Sequence, residues 1–144
     1  MRWLIPFVAV LLLWTTSTAG PSKPLVFVAY ESQRLQSYVG KYPSDLFKAE
    51  PAIKKRLKSL LGTNYSFFMN RMETEMPIEN DQGALVVRGC MAHNCGIEEA
   101  VMVINLADGK LHCAIKSSKF GGKFKVFSED KAHTPPALNR AMQQ

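Results

Sequence analysis

Two thiols and an imidazole lie within the six residues Cys90-Met91-Ala92-His93-Asn94-Cys95, and these groups support three kinds of chemistry. Thiolates and a neutral imidazole are ligands for zinc or copper, so Cys90, His93 and Cys95 could supply three donors of a tetrahedral site. The fourth would have to come from His112, His133 or Cys113. A cysteine beside a histidine is also a nucleophile beside its base, and two close cysteines can form a redox couple. Both of those uses need a free thiolate. Redox pairs more often read Cys-x-x-Cys at a helix start, whereas here four residues separate the cysteines. The third outcome is a disulfide between Cys90 and Cys95, which closes a small ring and leaves His93 as the one ionisable side chain inside it.

The N-terminus bears on which of these holds. Met1-Arg2-Trp3, an apolar run from Leu4 to Trp14, and Thr15-Thr16-Ser17-Thr18-Ala19-Gly20 follow the plan of a secretory signal peptide. The run is shorter than the roughly 20 residues a membrane span needs, and Ser17 and Ala19 are small enough for cleavage before Gly20. Residues 1–19 are thus expected to be removed, and no cysteine follows that could accept a lipid. A periplasmic or secreted protein is implied, and export favours the disulfide over the metal site and the nucleophile. In the chain-entropy model so short a ring contributes only about 2 kcal/mol. Its use is therefore to fix a shape. Cys113, in Leu111-His112-Cys113-Ala114-Ile115, shares by alternation the face of Leu111 and Ile115 and is expected to be a buried, inert thiol.

The elements that must hold the ring are legible in part. The N-terminal segment 20–41 has a Pro-rich start at Pro21 and Pro24, after which Leu25 to Val39 shows no decisive period. Tyr42-Pro43-Ser44-Asp45-Leu46 reads as a turn into a short helix. Ile53, Leu57, Leu60 and Leu61 recur at helical spacing after Pro51 and before Gly62, which predicts a helix from Pro51 to Leu61. Asn64 can cap another that buries Tyr65, Phe68, Met69 and Met72. From Met76 onward Asn80-Asp81-Gln82-Gly83, Ala107-Asp108-Gly109 and Gly121-Gly122 separate runs rich in Val, Ile, Leu and Phe. These are turns between antiparallel strands. Strands are expected near 74–78, 84–88, 100–105, 110–117 and 123–127, and Thr134-Pro135-Pro136 opens a last helix through about Met142. The fold class is α+β: an antiparallel β-meander of about five strands with two or three flanking helices, in a single domain over residues 42–144.

The ring then falls between two strands, flanked by Gly89 and Gly96, whose backbone freedom lets it stand away from the sheet. Gly89-Cys90-Met91-Ala92-His93-Asn94-Cys95-Gly96, followed by a strand and Asp108-Gly109, resembles the Ivy (inhibitor of vertebrate lysozyme) family, in which Cys-Lys-Pro-His-Asp-Cys forms a protruding loop. The likeness extends more loosely over about residues 42–137. It implies that the loop of Cys90, Met91, Ala92, His93, Asn94 and Cys95 enters the active-site cleft of a c-type lysozyme with His93 as plug. It also implies no enzymatic activity and no cofactor, and it admits a second class of target, the cell's own lytic transglycosylases. Met91, Ala92 and Asn94 stand where family members often have Lys, Pro and Asp. The chemistry is sound in itself, because a retaining glycosidase holds two carboxyl groups about 5 Å apart and one imidazole can bridge them.

Charge qualifies the picture. The chain carries 18 basic and 12 acidic residues for a net +6, so nucleic acid and membrane surfaces are candidate partners. Lys54, Lys55, Arg56 and Lys58, and Lys116, Lys119, Lys123 and Lys125, nonetheless read as solvated faces, and neither partner is expected once the signal is removed. From Glu73 to Asp108 seven acidic residues (Glu73, Glu75, Glu79, Asp81, Glu98, Glu99 and Asp108) face Arg88 alone. This predicts an acidic docking face around the ring.

Overall fold

The computed structural model describes residues 25–131 and 133–144, with side chains from Glu31 onward. The expected signal segment, residues 1–19, lies outside the described residues. Among the described residues five α-helices, α1 (Leu25–Gln36), α2 (Pro43–Ala49), α3 (Pro51–Leu61), α4 (Tyr65–Met69) and α5 (Pro136–Ala141), accompany six strands. The strands are β1 (Thr74–Glu75), β2 (Glu79–Asp81), β3 (Ala84–Cys90), β4 (Glu99–Asn105), β5 (Leu111–Ser117) and β6 (Lys123–Ser128). They form one antiparallel sheet in the order β1-β3-β4-β5-β6, with β2 also paired to β3. The architecture is α+β, as the punctuation of the sequence requires.

Helices α1 to α4 cover one face of the sheet and α5 the other. On the first face Leu46, Leu57 and Phe68 pack with Leu85, Val87, Met102, Ile104, Leu111, Cys113 and Ile115. Cys113 thus sits where alternation put it, and burial pushes its thiol far above the ordinary range. On the second face Val86, Val101, Val103 and Ala114 meet Ala137, Leu138 and Ala141. With helices on both sides, β3, β4 and β5 are buried along almost their whole length and read as continuous apolar runs.

The structure departs from expectation at several elements. The single strand expected near 74–78 is broken into β1 and β2, because Pro77 has no N–H for a ladder. Between them the backbone pairs with the N-terminal segment: the Ile78 N–H donates to the Lys41 carbonyl, and its own carbonyl accepts from Gly40, both at 2.8 Å. Asn64 stands at the N-cap position of α4 as expected but makes no side-chain capping bond; its amide donates to the Leu61 carbonyl at 3.3 Å, and 3-10 turns at 62–64 and 70–72 flank a single α-helical turn. Helix α1 appears where no period was readable. Its last turn is anchored by Leu35 in the main core and by Arg34, 2.7 Å from Glu50. Tyr38 joins the same core, so the N-terminal segment 20–41 reaches into it from Leu35 onward. No described helix is long and apolar enough to cross a membrane.

Candidate functional site

Strands β3 and β4 pair from Ala84↔Asn105 to Cys90↔Glu99, and the residues between Cys90 and Glu99 form their connection. Pairing runs one step beyond the strands, since the Met91 N–H donates to the Glu98 carbonyl at 2.9 Å. Two turns follow. Asn94 N–H returns to the Met91 carbonyl at 3.0 Å and closes a tight turn with Ala92 and His93 at its centre. Ile97 and Glu98 N–H groups then both reach the Asn94 carbonyl, at 3.1 and 3.0 Å. His93 lies at φ +64°, a left-handed conformation that histidine tolerates better than most residues.

The expected disulfide joins Cys90 and Cys95, with Cα atoms 5.0 Å apart. Cys90 is fully buried, while His93, Asn94 and Cys95 are exposed and Met91 and Ala92 half-buried. The ring is therefore rooted in the sheet at one end and presents the imidazole to solvent at the other. With both sulfurs bonded to each other, neither is a thiolate for metal or for nucleophilic attack. Of the other candidate ligands, Cys113 is buried in the sheet, His112 is buried on β5 with Nδ1 2.8 Å from Ser128 Oγ, and His133 follows β6. The structure brings none of them to the ring.

The two flanking glycines do different things. Gly96 has φ +90° and open space around it, so it serves the turn by conformation. Gly89 serves by size: a Cβ there would meet the Arg71 carbonyl oxygen at 2.7 Å and the Met72 sulfur at 2.8 Å.

Below the ring lies a group of residues that sequence reasoning passed over. Arg71 and Glu98, only 3% and 8% exposed, form an ion pair. Glu98 Oε1 also accepts from the Ser118 hydroxyl at 2.6 Å, the Ser118 N–H at 2.9 Å and the Ser117 hydroxyl at 3.2 Å. The remaining Arg71 donors go to the carbonyls of Phe67 (2.7 Å) and Lys116 (3.2 Å) and to Ser117 Oγ (3.1 Å), and its guanidinium stacks 3.5 Å from the Phe67 ring centre. The Ser118 hydroxyl foremost, opposed by burial and helped by the other donors, lowers the Glu98 carboxyl to about 2. Nothing local marks Arg71, which sits in a run that reads as a helix, and by sequence Glu98 is one of the seven acids of the 73–108 segment.

The predicted acidic docking face is not formed. Five of its seven carboxylates are paired, four of them with bases from outside the segment: Asp81 with Arg140 (2.7 Å), Glu98 with Arg71, Glu99 with Lys116 (3.7 Å) and Asp108 with Lys110 (3.6 Å), while Glu79 meets Arg88 (2.9 Å). Asp81 and Asp108 stand at the opposite end of the sheet from the ring. Near it, Glu73 accepts from the Ala92 N–H at 3.3 Å and Glu75 from Ser44 Oγ at 2.8 Å on the β1 side. Lys116, Lys119 and Lys123 lie across from them, where β5 ends and β6 begins. The ring is thus flanked by acid on one side and base on the other.

A family model described as "Inhibitor of vertebrate lysozyme (Ivy)" matches residues 52–144, a span that holds the entire sheet and the ring. No curated protein and no solved structure gives a significant match.

Proposed function

This chain belongs to the Ivy family, inhibitors of vertebrate lysozyme, and on that premise we propose that it inhibits a c-type lysozyme by inserting the Cys90–Cys95 ring into the active-site cleft. His93 is the plug. The observation that carries this reading is its position: an exposed imidazole at the centre of a turn that is closed by a hydrogen bond and ringed by a disulfide. A retaining glycosidase needs one carboxylic acid to protonate the leaving oxygen and one carboxylate about 5 Å away. An imidazole between them hydrogen-bonds to both, holds the acid unproductive and fills the space of the sugar. Ring closure and the turn hydrogen bonds reduce what the loop must lose in freedom on binding, which favours a tight inhibitor.

The protein acts as a binding partner rather than an enzyme, in the periplasm or outside the cell after loss of residues 1–19. Lysis of peptidoglycan by a c-type lysozyme, measured with rising amounts of the purified protein, tests this directly. Stoichiometric loss of lysis is expected. Undiminished lysis at excess protein would remove the lysozyme reading, and loss of a lytic transglycosylase's activity in its place would redirect the same ring to that target.

A further inference from the structure

The Arg71–Glu98 pair has no part in the plug chemistry, yet it occupies the base of the ring. Burying a guanidinium and a carboxylate together gives little or no stability over well-packed apolar side chains. Core packing therefore does not account for it. Its connections give a better reason. The Glu98 side chain is held by the 70–72 turn through Arg71 and by the end of β5 through Ser117 and Ser118. The main chain of the same residue carries the ring, its carbonyl accepting from Met91 at 2.9 Å and its N–H donating to Asn94 at 3.0 Å. Met91 follows Cys90, and Asn94 follows His93. Fixing one buried side chain therefore fixes both limbs of the His93 turn. The disulfide acts separately, between Cys90 and Cys95.

We propose that Arg71 and Glu98 are positioning residues forming a second lock on the His93 turn, independent of the disulfide, so that the ring keeps its shape when the Cys90–Cys95 bond is open. The importance of this lock for inhibition rests on the function proposed above; the lock itself does not. Its consequence is an inhibitor that works in reducing as well as oxidising surroundings.

Hydrogen exchange of single amides separates the two locks in the purified protein. In a variant with Cys90→Ala and Cys95→Ala, the Met91 and Glu98 amides should stay within about threefold of the parent rate, and lysozyme inhibition should persist. With Arg71→Met and Glu98→Met together, so that neither charge is left buried alone, those two amides should exchange about tenfold faster or more while Val103 and Ala114 at mid-sheet are unchanged. Inhibition should weaken by a comparable factor. Glu98→Gln repeats the measurement should the double variant fail to fold. Loss of ring protection in the cysteine variant, retention of it in the pair variant, or equal acceleration at Val103 and Ala114 would each overturn the second lock. A ring loosened in the pair variant with inhibition undiminished would support the lock and count against His93 as plug.

Discussion

His93 stands at the tip of the ring and Glu98 beneath its base, and each makes its own prediction. His93 is exposed and, among the described residues, has no partner holding it in the fold, so His93→Ala should leave the melting temperature almost unchanged. As the central contact with the target it should cost about 2 kcal/mol or more in binding, roughly a thirtyfold weaker inhibition constant. Equal inhibition by parent and variant would show that the ring does not act through its imidazole. Glu98 answers to acid instead. Its folded carboxyl lies at about 2, below the ordinary value of 4.5. The stabilisation it brings is therefore complete above about pH 4.5 and is lost as pH falls toward 2. Acid unfolding followed by circular dichroism should show the parent losing stability across that window more steeply than Glu98→Gln. Coincident slopes would mean that the carboxylate gains nothing from its hydroxyl, amide and guanidinium partners.

At the scale of elements, the ring's position depends on how closely the 70–72 turn approaches β3. Gly89→Ala would drive a methyl into the Arg71 carbonyl and the Met72 side chain, and because one neighbour is backbone the turn itself must move. Overpacking of this kind costs about 1–3 kcal/mol. Arg71 would move with the turn and loosen its hold on Glu98, so inhibition should fall along with thermal stability. Gly96→Ala meets open space and pays only for a left-handed backbone, about 1–2 kcal/mol. Denaturant unfolding of the two variants should therefore rank Gly89→Ala as at least as damaging, and only Gly89→Ala should disturb the exchange of the Glu98 amide. A Gly89→Ala protein as stable as the parent would mean that the turn yields without strain.

For the whole molecule, the net charge of +6, which becomes 17 − 12 = +5 once Arg2 leaves with residues 1–19, and the pairing of the acidic segment govern how a charged partner arrives. With no acidic docking face, a basic lysozyme meets a positive protein, and long-range repulsion slows their encounter. Raising salt from about 20 to 200 mM, which shortens the Debye length to less than 10 Å, should therefore speed association rather than slow it. Stopped-flow rates at the two ionic strengths decide the sign. Association that slows with salt would mean that Glu73 and Glu75 steer the ring more strongly than the rest of the surface repels.

Some of this protein was determined within short windows of sequence. Helix α3 follows from the spacing of Ile53, Leu57 and Leu61 between Pro51 and Gly62, and the strands from the turn residues that separate them, because these patterns are local and the backbone answers to them locally. The ring follows likewise from two cysteines close enough to bond, with a histidine between them. Tertiary structure alone decided the rest. Whether the carboxylates of 73–108 make a face depended on Arg71, Lys116 and Arg140, each far in sequence from its partner, and Arg71 stands 27 residues from Glu98. Pro77 marks in the sequence where a ladder must fail, but that Ile78 bonds instead to Lys41 and Gly40 was decided by the fold that brings them near. Helix α1, whose segment carries no readable period, depended on a core for Leu35 and on Glu50 for Arg34. Such pairings arise from strand register and helix packing, which bring distant residues together, and no local window of sequence contains both partners.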